Sequence, residues 1–447
     1  MRILHYALGF PPYRSGGMTK FNIDLMIQQS KKGHQVALLW PGRMRLINQH
    51  VSILDCGLIK SSCNEIFIQS YEIVNPLPIP FDEGINKFEL FMKNVDTKVY
   101  RKLFDDFKPD VIHMHTLMGI HKSFLSIAKD RNIRIVFSAH DFFSICPKVT
   151  MFSQGEICSS VISCENCSQC NSTALSMKKI KILQTPIYRK LKDIAIIKKI
   201  RQEHRKQYLA GIQRNGKSRN TSLEYKKLRS YYFSLLKMMD IIHFNSSVTQ
   251  MIYEQYFGKH TCTVINISHL NIVDNRIKKT FSDKKIKIRY MGSQSGGKGF
   301  YLLVSALDKL WLEKQNFCLD IHFNLNEKKP YMNIHDRYSY NELKNIFLNT
   351  DVLIVPSVWY ETFGFTVLEA ICHGVPVIIS DTVGAKDILR EGSGIIIEDI
   401  SADKLYLVIK NLTSEKLERM NNIINEKQEI LTMEMVEEKI FRECYNI

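Results

Sequence analysis

The sequence predicts an α/β protein built from two parallel-sheet domains facing each other across a cleft. Three observations predict it. Short apolar runs alternate with helical stretches, the pattern of strands buried on both faces. That alternation occurs twice, in separate sets joined around residues 271–283. Finally, 447 residues with 45% hydrophobic content suffice for two or three ordinary globular cores.

In the first set, strands are expected at residues 2–8, 35–40, 110–115, 134–139, 240–244 and 262–267. A helix at 19–31, ended by Gly33, joins the first two as a strand–helix–strand unit. The loop between them carries Gly16 and Gly17, where backbone can approach a ligand closely. A tight turn without a ligand accounts for that pair equally well. No G-x-G-x-x-G follows the strand, so it is not a dinucleotide fingerprint.

His115 closes the third strand, and His140 and Asp141 follow the fourth. Ligands of open parallel sheets bind at such strand ends. By the two-residue period His113 and His115 share one side, and only His115 is expected at the rim.

The stretch from about residue 146 to 232 breaks the alternation and reads as an insertion. Five cysteines open it: Cys146, Cys158, Cys164, Cys167 and Cys170, spaced C-x11-C-x5-C-x2-C-x2-C. Thiolates at such spacing can share one tetrahedral zinc, and free thiols in a loop are the alternative. A four-sulfur site leaves no open position, so the expected zinc is structural.

The net charge of +16 is local. Residues 177–229 hold 17 Lys/Arg against three acids, and the remainder is nearly neutral. Ile180, Ile182, Leu183, Ile187, Leu191, Ile194, Ile196, Ile197 and Ile200 are interleaved with those cations. This mixture suits the interface of an anionic membrane better than nucleic acid; a solvated helical face is the plain alternative. No apolar run approaches the ~18–20 residues of a membrane span, and the first residues read as a core strand rather than a signal peptide. A cytoplasmic or membrane-face location is expected.

The second set runs strand 287–291, helix 298–313, strand 318–323, helix 341–348, strand 352–355 and strand 377–379. Lys298 lies in the glycine-rich turn after its first strand, placed to offset diphosphate charge. After strand 352–355 comes Glu361-Thr-Phe-Gly-Phe-Thr-Val-Leu-Glu369, one carboxylate in a loop and the other on the second turn of a helix starting near Gly364. The two are expected roughly 8–10 Å apart. Between them the amides of Phe363, Gly364, Phe365 and Thr366 offer an anion seat. An anion seat flanked by hydroxyl-grasping carboxylates suits a sugar nucleotide. Two solvated glutamates at a helix start are the alternative.

This segment, with Pro356-Ser357 before it and residues 374–378 after it, resembles the retaining glycosyltransferases of the GT-B fold. These are the large "group 1 / family 4" type found in bacterial cell-envelope polysaccharide synthesis. The resemblance implies an acceptor domain over 1–270, a nucleotide-sugar domain over 271–430, and a helix at 431–447 crossing back to the first. It implies that Glu369 holds the ribose, that Glu361 and His115 are catalytic against the donor sugar, and that Gly16 and Gly17 face diphosphate and acceptor. His140 and Asp141 become acceptor candidates. Ser293 stands where the family often has an arginine.

The implied reaction is metal-independent, since no D-x-D pair ends a strand, and needs no cofactor. The implied partners are a nucleotide-sugar donor and a lipid-linked glycan of O-antigen or capsule type, at the inner face of the plasma membrane, with no nucleic acid. A GT-B epimerase or phosphorylase, or a non-catalytic sugar-nucleotide scaffold, is the alternative.

Overall fold

The computed structural model describes residues 1–446 except 46, 61–66, 81–82, 154, 160, 193, 195–196, 198, 200–220 and 326. Much of the basic stretch 177–229, including Ile196 and Ile200, therefore lies outside the described residues.

The first domain holds β1 (Arg2–Tyr6), β2 (Gln35–Pro41), β3 (Ser52–Lys60), β4 (Phe67–Val74), β5 (Val111–Met114) and β6 (Arg134–Ala139). A small hairpin, β7 (Phe152–Ser153) and β8 (Glu156–Ile157), precedes β9 (Ile241–Phe244) and β10 (Cys262–Val264). The main sheet has the order β10-β9-β6-β5-β1-β2-β4-β3. All its pairings are parallel except the edge pair β3·β4. The second domain holds β11 (Ile286–Tyr290), β12 (Phe317–Ile321), β13 (Met332–Ile334), β14 (Val352–Val355), β15 (Val377–Ser380) and β16 (Gly394–Ile397). Its order is β13-β12-β11-β14-β15-β16, parallel throughout. Central strands are apolar on both faces because helices cover both faces.

Six strands escape sequence reading: the two-residue strands of the β7–β8 hairpin, and four at or beside an edge of the larger sheets. β3 leaves Leu58 56% exposed, so its apolar residues form no continuous run. β13 and β16 span only three and four residues. β4, paired to β3, lies in a stretch where no strand was expected. The expected strand at 262–267 shortens to Cys262–Val264, and the helix expected from 298 begins at Phe300.

The C-terminal helix Met433–Ile440 and the π-turn Phe441–Tyr445 lie back against helix Gly17–Lys31 of the first domain. Lys32 Nζ sits 2.8 Å from the buried Glu437 carboxylate. Arg134 Nε donates to the Cys444 carbonyl at 2.5 Å, and Thr263 Oγ1 donates to Glu443 at 2.6 Å. One buried apolar cluster joins Ile3, Phe21 and Val111 to Phe363, Val367 and Leu368 of the second domain and to Val436 and Tyr445 of the tail. Burying each such side chain contributes about 1.5–3 kcal/mol, so the two domains share one core at the base of the cleft. No helix among the described residues is long and apolar enough to cross a membrane.

Candidate active site between the two domains

Two loops of the second domain bind each other before they meet anything else. The Gly297 carbonyl accepts the amides of Val358 and Trp359 at 2.9 and 3.2 Å, docking the glycine turn onto the segment after β14. Gly299 has φ 70°, and a Cβ there would overlap the Pro356 carbonyl, so only glycine allows this approach. The docking places Lys298 Nζ 2.9 Å from Glu361 Oε2 and 5.6 Å above the Trp359 ring. The Ser357 hydroxyl donates to the other oxygen of Glu361. Trp359 is held edge-on by Phe152 of the insertion, ring centres 5.9 Å apart.

The loop then reaches across the cleft. Ser246 and Thr249 hydroxyls, at the start of helix Ser247–Phe257, donate to the Thr362 carbonyl at 2.8 and 3.1 Å. The Thr362 hydroxyl donates to the His140 carbonyl at 3.2 Å. Asp387 accepts the Ser247 amide at 2.6 Å. Gly17 faces the Phe365 ring so closely that a Cβ would touch it at 3.4 Å, so the glycine loop packs directly on the Glu361–Glu369 segment. Gly16 precedes it as the residue before the helix, at φ 115°.

The helix expected at Gly364 begins at Phe365, with Gly364 left-handed at φ 112°, and runs Phe365–Ile371. Phe363 is buried and its ring packs on that of Phe365. Thr366 is the second residue of the helix. Glu369 is 4% exposed, and its Oε1 accepts from His269 Nε2 at 3.1 Å. The Tyr340 phenol beside it is pushed up to about 12, by burial first and then by the Glu369 charge. Glu369 thus sits beneath His269 and Tyr340 rather than open to solvent.

His115 is not at the rim. It follows the end of β5 at 0% exposure, under Phe21 of helix Gly17–Lys31, and both ring nitrogens are engaged, with His5 at 2.9 Å and His140 at 3.1 Å. Burial and the neighbouring imidazoles hold it well below the usual histidine range. The rim position expected of His115 is not the one observed, because period-2 reasoning cannot see the helix laid over that strand end. His140, one strand over, is half-buried and meets the Glu361 loop directly through its carbonyl. Asp141 turns inward: its Oδ1 accepts the Phe143 amide at 2.9 Å and its carbonyl accepts the Tyr253 hydroxyl at 2.8 Å.

Ser357, Trp359, Thr362, Ser246, Thr249 and His269 complete the site, and sequence reading assigns none of them a role there. Ser357, Trp359 and Thr362 lie in or beside the quoted motif. The other three are brought in only by the fold.

The cysteines gather against helix Ser222–Leu236. Cys164 and Cys167 share a thiol hydrogen bond, which draws Cys164 down to about 7 with help from Arg229 and Lys226. Burial, then Cys170, pushes Cys146 up to about 12. Among the described residues no three of their sulfurs converge within 4.8 Å.

Two parallel-sheet domains closed over a Lys298–Glu361 pair define a molecule of the GT-B class. The chain belongs to the group 1 glycosyltransferases: the family model described as "Glycosyl transferases group 1" matches residues 272–430 and that of "Glycosyltransferase Family 4" matches residues 15–156. It is 26% identical over 179 residues to an uncharacterized glycosyltransferase of Methanocaldococcus jannaschii, covering 37% of this chain and 45% of that protein. It is 27% identical over 145 residues to an uncharacterized protein of the cps region of Klebsiella pneumoniae, covering 31% of this chain and 39% of that protein. The matches thus span less than half the length of these curated relatives.

Among solved structures, sucrose-phosphate synthase of Thermosynechococcus elongatus aligns with TM-score 0.58 at 12% identity, covering 98% of this chain and 97% of that one. HepE of Anabaena, in complex with UDP and glucose, aligns with TM-score 0.54 at 11% identity, covering 100% of both chains. These likenesses show the fold.

Proposed function

We propose that the chain is a retaining glycosyltransferase that moves a hexose from a nucleotide-sugar donor to a hydroxyl of a lipid-linked glycan, in surface polysaccharide synthesis. The observation that carries this reading is the Lys298–Glu361 pair at 2.9 Å, set between two domains by the docked glycine turn. Lys298 is there to meet the diphosphate, and Glu361 the sugar it leaves. In the reaction the anomeric C–O bond to the diphosphate breaks and the acceptor oxygen bonds on the same face. The acceptor proton passes to the departing phosphate. Glu361 supports positive charge at the anomeric carbon, and Lys298 supports the negative charge growing on the leaving group. Glu369 serves the ribose, with His269 holding its other side. UDP in the HepE complex and the cps region of one relative support the donor and pathway parts.

A panel of UDP-, GDP- and ADP-sugars tests the donor. At 100 times its dissociation constant a donor stabilises by ~2.7 kcal/mol, visible as a rise in Tm. NMR of the product then reports the anomer. A panel with no shift and no released nucleotide would leave this reading without support.

The lipid-linked acceptor draws on the insertion. Helices Met177–Leu183 and Pro186–Leu191 expose Ile182 (53%) and Ile187 (70%) among lysines, and Lys192 Nζ donates to the Pro12 carbonyl at 2.6 Å. This exposed apolar and cationic surface is thereby tied to the loop that carries Gly16. The double variant Ile182→Asp, Ile187→Asp is expected to weaken binding to anionic vesicles, read by co-sedimentation, by at least about thirtyfold, since each lost apolar anchor costs over 1 kcal/mol. Undiminished sedimentation would remove the membrane role. The cysteine cluster has the donor type zinc takes, and zinc content by elemental analysis is the measurement for it.

A further inference from the structure

Beneath the site lies a string of buried side chains that the proposed chemistry does not use. His243 Nε2 lies 2.7 Å from the Ile265 carbonyl, and its Nδ1 2.6 Å from Ser138 Oγ. Ser138 Oγ is 2.7 Å from His113 Nε2, and His113 Nδ1 is 2.6 Å from the Tyr445 hydroxyl. Gln29 Nε2 donates to that hydroxyl at 3.0 Å, and Gln29 Oε1 is 2.7 Å from His5 Nε2. His5 Nδ1 meets His115 Nε2 at 2.9 Å, His115 Nδ1 meets His140 Nε2 at 3.1 Å, and His140 Nδ1 meets Asn245 Nδ2 at 2.9 Å.

Every link here has one donor and one acceptor, so its direction can be worked out from the ends. A backbone carbonyl only accepts, so His243 must carry its proton on Nε2. Its Nδ1 then accepts from Ser138, whose oxygen accepts from His113 Nε2. His113 Nδ1 accepts from Tyr445, whose oxygen accepts from Gln29. Gln29 Oε1 accepts from His5 Nε2, His5 Nδ1 from His115 Nε2, and His115 Nδ1 from His140 Nε2. His140 Nδ1 is left to accept from the Asn245 amide. All five rings are neutral Nε2–H tautomers. The reverse direction would set two lone pairs, on His243 Nε2 and the Ile265 carbonyl, against each other. His5, His113 and His115 also place ring nitrogens within 4.8 Å of one another, as metal ligands would. A metal there would have to break the His5–His115 link, and each nitrogen is already accounted for.

We infer that this string is a positioning device: the Ile265 carbonyl, acting through Tyr445 of the C-terminal tail, fixes the tautomer of His140, whose carbonyl meets the Glu361 loop, and the amide orientation of the buried Asn245 beside it. Asn245 is thereby held with its nitrogen toward His140, and its Oδ1 is a buried acceptor with no protein partner. The His140 carbonyl, on the same residue, carries the cross-cleft bond from Thr362. Docking of the tail is thus coupled to the geometry of the site. The coupling to turnover rests on the proposed transfer reaction; the tautomer assignment does not.

Long-range ¹⁵N–¹H correlation of histidine-labelled protein tests the string. The wild type is expected to show five non-titrating Nε2–H rings between pH 6.5 and 8. Tyr445→Phe cuts the string at the tail, so His5, His115 and His140 lose their single tautomer while His113 and His243 keep theirs. Ser138→Ala cuts one link nearer the anchor, so His113 joins the released group and His243 alone is kept. An Nδ1–H ring among the five in the wild type, or unchanged tautomers in both variants, overturns the string. In kinetics, Tyr445→Phe is expected to lower kcat about tenfold with donor KM unchanged. Shifted tautomers with wild-type kcat would overturn the coupling alone. Absence of transfer in the wild type with every donor would count against the reaction, leaving the spectroscopic result to decide the string.

Discussion

Glu361→Gln is expected to lower kcat for sugar transfer by about 10²–10³-fold while donor binding is kept or strengthened. The amide can still accept from Ser357, so the loop stays in place. What goes is the charge. In the wild type Glu361 Oε2 holds Lys298 at 2.9 Å; without it the ammonium is released to the diphosphate, which favours the bound donor. The anomeric centre, however, loses the carboxylate that supports its positive charge, and that loss is felt only in the transition state. The split between kcat and KM is therefore the signature. Stability should change little, because Lys298 is partly exposed and such pairs contribute about 0–1 kcal/mol. Unchanged turnover in a variant that binds donor normally would take Glu361 out of the reaction.

The second large effect is on acid stability. Burial holds His5, His121 and His243 at about 4 and His140 at about 3, and holds His113 and His115 well below 6.5. For His243 the bond to Ile265 and the Glu443 charge oppose burial without overcoming it. Lys93 and the neighbouring imidazoles act in the same direction as burial. All six are neutral when folded and take up protons when unfolded. Stability is therefore fully present above about pH 6.5 and is lost as pH falls from there toward the folded values. At pH 5 each group costs about 2 kcal/mol, so six together reach the 5–15 kcal/mol that holds a typical domain. The first domain is expected to unfold cooperatively with a midpoint at about pH 5, taking up close to six protons. Circular dichroism against pH, with the slope of stability read from denaturant melts, measures both. A protein still folded at pH 4 would mean that these rings are not neutral and buried together.

Much of the site was legible because its signals are local. The glycine turn with Lys298, the Glu361–Glu369 spacing and the strand before it each fit in a window of ten residues, and the parallel sheets announce themselves as apolar runs. His115 was misplaced for the opposite reason. Its local surroundings, a strand end followed by a loop, are those of a rim residue. The helix that buries it begins a hundred residues earlier, and the tail that closes the pocket lies at the other end of the chain.

Sequence by itself determined the two-sheet architecture and the family, because periodicity and turn chemistry are properties of neighbouring residues. Only the tertiary structure decided that Glu369 lies under His269, that Thr362 bridges to His140, and that Tyr445 enters the string of histidines. Those contacts join residues 100, 222 and 332 positions apart. Each depends on which polar group finds a partner once water has been excluded, and that choice leaves no trace in the order of the residues on either side.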